Sequence, residues 1–265
     1  MSSSSSVYIY GGKSVEVYPP SKTEIQSELK EFGHPLGKTY SVPTAEYLKP
    51  KLDEQNCILI LPGGSTIKMS QDLVGCAEEI REAVRTRGWN CLAFCAGANL
   101  VCQEVIQKVK EKISPVLDSK SLLGLLPMRA KIDFPPFENT AFQENTGRIV
   151  PIYTSSKEKF NSYWNQGSQF EITGKEGDVP VVASYYDKES SQIAAVQGKY
   201  GKGTVVACGF HPEISKDPSN ESSSIKDKDD EKSSFGRKEY LHRLFKAVGI
   251  HGKGKAAELE EEFNV

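Results

Sequence analysis

Cys95 sits in Ala93-Phe94-Cys95-Ala96-Gly97, where the apolar run Cys91–Phe94 gives way to a helical pattern. A strand that turns sharply into a helix through a nucleophile with small neighbours is the pattern of a nucleophile elbow. A thiol at that point faces unpaired N–H groups and the positive end of the helix dipole, which favour thiolate. Such a nucleophile needs a base, usually histidine. Of four histidines, His34 lies in a Gly-His-Pro turn, His242 on the polar side of a helix and His251 in a Gly/Lys-rich tail. His211 alone follows an apolar strand directly, in Gly209-Phe210-His211-Pro212-Glu213. Glu213 is placed to hold one imidazole nitrogen and fix its tautomer, as the third member of a triad does. Pro62-Gly63-Gly64 closes the apolar run before the elbow strand, and glycine lets amides approach a carbonyl without a Cβ in the way. The Gly64 and Ala96 N–H groups are the candidate oxyanion donors. Each feature has a bland counterpart: a packed cysteine, an ordinary His-Pro-Glu turn, a tight glycine turn. Their agreement carries the expectation.

The elements that would position these residues fall into two halves. In the first, short apolar runs (Val7–Tyr10, Lys38–Val42, Cys57–Leu61, Cys91–Phe94) alternate with helical patterns. Ser21 with Glu24 fits a capping box for a helix running to Gly33, and Leu73, Ala77, Ile80 and Val84 mark another ending near Gly88. A further helix is expected from about Ala96 to Lys112. Runs apolar on both faces argue an α/β fold with a parallel sheet covered by helices. In the second half Arg148–Thr154, Phe170–Thr173, Val179–Tyr186, Gln192–Gln197 and Thr204–Phe210 read as added antiparallel strands, with a hairpin turn at Tyr200–Gly203. A last amphipathic helix carries Tyr240, Leu241, Leu244, Phe245 and Val248.

One domain is expected over residues 7–250. Residues 1–6 form a disordered Ser-rich start, 215–234 a mobile polar insertion whose charges largely cancel, and 251–265 a polar tail. The 265 residues carry a formal net charge of -2, which gives no pull toward nucleic acid or an anionic membrane. No apolar stretch is long enough to span a bilayer, and the start lacks a secretory pattern. The six cysteines lack zinc-site spacing and read as reduced, mostly packed thiols in a cytoplasmic setting, with no metal or cofactor.

Taken together over about residues 7–250, several segments resemble the class I glutamine amidotransferase-like superfamily. They are Leu61-Pro62-Gly63-Gly64, Phe94-Cys95-Ala96-Gly97, Leu123-Gly124-Leu125-Leu126-Pro127, Tyr163-Trp164-Asn165-Gln166-Gly167 and Gly201-Lys202-Gly203 leading into Gly209-Phe210-His211-Pro212-Glu213. Within the superfamily the resemblance is to the amidotransferase-like domain at the N-terminus of eukaryotic biotin–protein ligases, also found as a free-standing protein. It implies a flavodoxin-like, doubly wound sheet with Cys95 as nucleophile, His211 as base and Glu213 as its orienter. Gly63, Asn99, Tyr163, Trp164 and Asn165 are the substrate-pocket candidates, the aromatics having core packing as their alternative. Three departures stand out. Ala93 and Asn99 occupy the first glycine and the glutamine of the G-x-C-x-G-x-Q pattern of the superfamily's glutaminases. Gln166 stands where the biotin-ligase type has glycine. Nothing resembles a G-R-G-R-x-G biotinyl-adenylate loop, so biotinylation by this chain alone is not expected.

The expected function is therefore an amidotransferase-like cysteine hydrolase acting on a small amide or acyl substrate. The alternative is a non-catalytic small-molecule-binding or regulatory module that keeps the fold. A protein partner is not identifiable from these residues.

Overall fold

The computed structural model describes residues 5–12, 19–117, 119–134, 147–175, 177, 179–185, 192–215 and 236–252. The apolar runs of the first half become β1 (Val7–Tyr10), β2 (Thr39–Val42), β3 (Ile58–Leu61) and β4 (Asn90–Phe94). Between them lie α1 (Pro19–Glu31), α2 (Ala45–Leu48), α3 (Thr66–Leu73) and α4 (Ala77–Arg87). The short α5 (Ala96–Leu100) follows β4, and then come β5 (Cys102–Val109), β6 (Lys112–Pro115) and β7 (Leu126–Ile132). The second half supplies β8 (Arg148–Thr154), β9 (Lys159–Trp164), β10 (Gln169–Ile172), β11 (Val181–Tyr185), β12 (Ile193–Tyr200), β13 (Gly203–Cys208) and α6 (Arg237–Ala247).

Five strands, in the order β2-β1-β3-β4-β13, pair in parallel. Renumbered along the chain this is 2-1-3-4-5, the order of flavodoxin-like doubly wound sheets, which place ligands beyond the carboxyl ends of the strands. From β13 the sheet continues through β12, β10, β7, β5 and β6, and β11, β8 and β9 branch from β12. These added pairings are antiparallel except β5 with β7.

The parallel strands alternate their side chains between two apolar layers. Tyr10, Leu59, Leu61 and Cys91 pack with Met69 and Leu73 of α3 and Ile80 and Val84 of α4. Ile9, Ile58, Ile60, Leu92 and Phe94 pack on the opposite face with Ile25 and Leu29 of α1 and Leu241, Leu244 and Phe245 of α6. Burial on both faces explains why these strands read as unbroken apolar runs. It also fixes register, because a one-residue slip would exchange the two layers.

Three sequence expectations are corrected. The helix expected over residues 96–112 ends at Leu100, and Cys102–Val109 is a strand. Leu100, Val101, Val105 and Val109 do fit helical spacing. However, β-branched Val105 and Ile106 find Ala130 and Lys131 of β7 in register, while β6 pairs along the other edge. Strand pairing outweighs local periodicity here. The capping box is also absent: the Pro19-Pro20 pair opens α1, as proline suits the first helical turn, so Ser21 lies inside the helix. The expected helix from Leu73 to Val84 is two pieces, α3 and α4, joined by a 3-10 turn at Val74–Cys76 and closed by Gly88 at φ +73°. The insertion expected at 215–234 lies, beyond Ser215, outside the described residues, as do 1–4 of the start and 253–265 of the tail. All six cysteines are buried free thiols, and among the described residues no helix is long and apolar enough to cross a membrane.

Candidate active site

β4 ends at Phe94 and α5 begins at Ala96, so Cys95 must redirect the chain within one residue. It does so at φ 48° and ψ −111°, a conformation that L-residues avoid unless their surroundings impose it. The surroundings here are backbone contacts on both sides. The Cys95 N–H donates to the Cys208 carbonyl at 2.7 Å, and the Asn99 N–H donates to the Cys95 carbonyl at 3.1 Å. A Cβ on Gly97 would lie 2.3 Å from the Leu61 carbonyl oxygen, so α5 rests directly on the end of β3. The glycine after the cysteine is thus a packing requirement. Cys95 is 6% exposed, and its Sγ donates to the Asn165 carbonyl at 3.4 Å.

β13 lies beside β4 in parallel, with Cys208 opposite Phe94, so Gly209-Phe210-His211 leave the sheet at the end where Cys95 sits. The His211 N–H is held by the Tyr163 carbonyl at 2.8 Å. His211 Nδ1 lies 2.8 Å from Glu213 Oε1, and the two side chains are 2% and 0% exposed. An ionised carboxylate only accepts, so Nδ1 carries the proton and Nε2 is left for Cys95. Burial works against a charge on His211. The Glu213 carboxylate, and after it Cys95 through charge and a hydrogen bond, outweighs that cost and raises the imidazole pKa to about 10.

Sequence reasoning missed the support for this pair. Ser21 Oγ donates to Glu213 Oε1 at 2.5 Å and accepts from the Gly63 N–H at 3.2 Å. Arg237, at the start of α6, donates to the Pro212 carbonyl and lies 3.4 Å from Glu28 Oε1 of α1. The His-Pro-Glu loop is therefore tied to α1 at two points. The available signal was Pro19-Pro20: a helix starting there leaves Ser21 an interior hydroxyl in need of a partner.

The remaining candidates divide. Gly63 touches the site: a Cβ there would fall 2.3 Å from His211 Cε1. Its N–H is taken by Ser21, which leaves Gly64 as the loop's candidate donor. Because β3 and β4 run in register, with Leu61 opposite Ala93, this loop emerges beside Cys95 and Ala96. Asn165 meets Cys95 through its carbonyl. Asn99 is buried, its Oδ1 accepting from Ser168 Oγ at 2.8 Å and its Nδ2 donating to Thr66 Oγ1 at 3.1 Å. It ties α5 to α3 and to the segment after β9. Tyr163 is buried, with its ring centroid 5.8 Å from that of His211. Trp164 is buried too and donates its Nε1–H to the Gly167 carbonyl at 3.0 Å. The Tyr163 ring backs His211, while Trp164 packs in the apolar layer that also holds Phe210. Gln166 adopts φ +54°, the left-handed conformation that glycine favours. A groove of about 650 Å³ lined by Gln103, Glu104, Arg129 and Met128 among others contains none of these residues. Among the described residues no group of three or more His, Cys, Asp or Glu side chains is placed to hold a metal ion.

The doubly wound sheet with its added antiparallel strands has the fold of solved glutamine amidotransferases. A solved glutamine amidotransferase matches with a TM-score of 0.57 at 17% identity, covering 91% of this chain and 99% of that one. The glutaminase domain of Trypanosoma brucei CTPS with bound acivicin matches with a TM-score of 0.52 at 11% identity, over 94% and 96% of the two chains. At these identities the likeness is one of fold. Sequence is more specific: residues 5–264 match the family model for the N-terminal region of biotin–protein ligase, and the chain belongs to that family. The biotin–protein ligase of Schizosaccharomyces pombe is 30% identical over 234 residues, 84% of this chain and 34% of the relative. The chain thus spans about a third of that relative's length.

Proposed function

We propose that this chain is an amidotransferase-like cysteine hydrolase acting on a small amide or acyl substrate. The observation that carries the reading is the buried 2.8 Å contact of Glu213 with His211, whose imidazole is coupled to Cys95 at the strained turn. Cys95 Sγ attacks the substrate carbonyl carbon, its proton having passed to His211 Nε2. The Gly64 and Ala96 N–H groups receive the developing oxyanion. His211 returns the proton to the departing amine as the C–N bond breaks, leaving a thioester on Cys95. Water then adds to the thioester while His211 takes its proton. The acid departs and the thiol is restored. Throughout, Glu213 stabilises the imidazolium and holds its orientation.

The test is the alkylation rate of Cys95 by iodoacetamide at pH 7, read by peptide mass spectrometry. Cys95 reacts faster than a model thiol, and His211→Ala slows it by about tenfold or more. A Cys95 no faster than the model thiol overturns the reading. One observation favours a second reading, a non-catalytic small-molecule module: Cys95 is only 6% exposed, with Sγ turned to a backbone carbonyl. Ligand-induced thermal stabilisation that persists in Cys95→Ser, with no product formed by the wild type, would support that reading instead.

A further inference from the structure

We infer that Ser21 is a positioning residue of this site, its hydroxyl tying the Gly63 amide to the Glu213 carboxylate and so fixing His211 against Cys95. The inference rests on the hydrolase reading above. Ser21 stands in the first turn of α1, where no earlier turn of the helix offers its hydroxyl a carbonyl. Ser21 Oγ instead reaches two groups far away in sequence, Gly63 N–H at 3.2 Å and Glu213 Oε1 at 2.5 Å, and it is fully buried. The direction of each bond is fixed by chemistry. The Gly63 N–H only donates, so the single hydroxyl proton goes to Glu213 Oε1, which accepts it.

Glu213 Oε1 consequently accepts two bonds, from Ser21 and from His211 Nδ1 at 2.8 Å. Oε2 is buried with no hydrogen-bond partner among the described residues. Without Ser21, His211 alone among the described residues holds Oε1 against rotation of the carboxylate toward that second oxygen. Ser21 also lies in the first turn of α1, whose positive end favours the carboxylate charge. The same hydroxyl reaches the glycine loop that carries the candidate oxyanion donor, so one side chain couples the acid–base pair to that loop. Among the described residues the titratable or charged groups facing this assembly include Cys95 on His211, Cys208, which interacts with Glu213, and Arg237 on the Pro212 carbonyl between them.

The experiment compares wild type, Ser21→Ala, Glu213→Gln and the double variant by two readouts. One is the pH profile of Cys95 alkylation and the other the NMR titration of the His211 imidazole. Ser21→Ala slows alkylation at pH 7 by about tenfold and shifts both titrations, whereas adding it to Glu213→Gln changes the rate by less than about twofold, because it acts through that carboxylate. Unchanged titrations in Ser21→Ala, or an equal slowing in both backgrounds, overturn the inference. If the wild-type thiol is slow yet the His211 titration moves with Ser21→Ala, the hydrolase reading falls while the positioning contact stands. Should Ser21→Ala fail to fold, Ser21→Cys, of similar volume and with a weak S–H donor, carries the same comparison.

Discussion

His211 and Glu213 are two residues apart in the chain and share a buried 2.8 Å contact that neither could hold unaided. The proline between them has its carbonyl fixed by Arg237, the histidine amide is held by Tyr163, and the carboxylate is capped by Ser21. Each support comes from a different element, so the pair reports on the whole carboxyl end of the sheet.

The first consequence is a pH dependence of stability. The folded-state pKa of His211 is raised from 6.5 to about 10, so the folded protein binds this proton more tightly than the unfolded chain. Its stabilising contribution is complete below pH 6.5 and is lost as pH rises through about 10. Urea unfolding at pH 6.5 and pH 10 will show a larger loss for wild type than for Glu213→Gln, which lacks the carboxylate that raises the pKa. Equal losses in the two proteins contradict the coupling.

Five of the six thiols are held protonated by burial. Burial pushes the Cys57, Cys76 and Cys91 thiols up to about 12, and holds Cys102 and Cys208 well above their ordinary value. With those five thiols held protonated, and Cys95 at the strained turn beside His211, mild alkylation of the folded protein at pH 7 will label Cys95 first under the hydrolase reading. The other five react at comparable rates only after denaturation, and peptide mapping distinguishes the two patterns.

Gly63→Ala tests the contact between the glycine loop and the imidazole. The added methyl would sit 2.3 Å from His211 Cε1, so the ring or the loop must move. Overpacking of this kind costs about 1–3 kcal/mol. The displaced ring also slows Cys95 alkylation at least about tenfold, a loss of alignment beyond the loss of stability. A variant with wild-type reactivity would mean that the ring is not held there.

Arg237 and Glu28 form a buried pair, at 4% and 6% side-chain exposure. Burial raises the Glu28 pKa, with Arg237 opposing. Among the described residues, Arg237→Ala leaves that carboxyl with only the His242 imidazole, 3.9 Å away, and the Pro212 carbonyl without this donor, a loss of about 3–5 kcal/mol. Because a raised carboxyl pKa makes stability fall as pH climbs past 4.5, the deficit is larger at pH 8 than at pH 5. Replacing both partners, Arg237→Met with Glu28→Leu, recovers most of it in urea titrations.

Gln166→Gly addresses the residue that departs from the family pattern. A left-handed non-glycine residue costs about 1–2 kcal/mol, and glycine returns about 0.5–1 kcal/mol of that through its greater unfolded-state entropy. Backbone relief alone is worth about 0.5 kcal/mol, a small rise in Tm, set against what the Gln166 residue contributes through its own contact. A fall in Tm means that this contact outweighs the backbone relief.

The sequence by itself determined the parallel core and pointed to three corners of the candidate site. Unbroken apolar runs such as Ile58–Leu61 and Cys91–Phe94 are legible because burial on both faces leaves them no polar positions. Cys95, His211 and Gly63 are legible because each follows such a run directly, and strand ends in a doubly wound sheet converge on one lip. Only the tertiary structure decided that residues 102–109 form a strand, since their spacing satisfies a helix until β7 and β6 offer backbone partners on both sides. Only it revealed Ser21 and Arg237 as supports, because a hydrogen bond spanning 192 residues leaves no local pattern to read. Periodicity records which face of an element meets the core. Which polar group meets which is settled by the packing of elements distant in the chain.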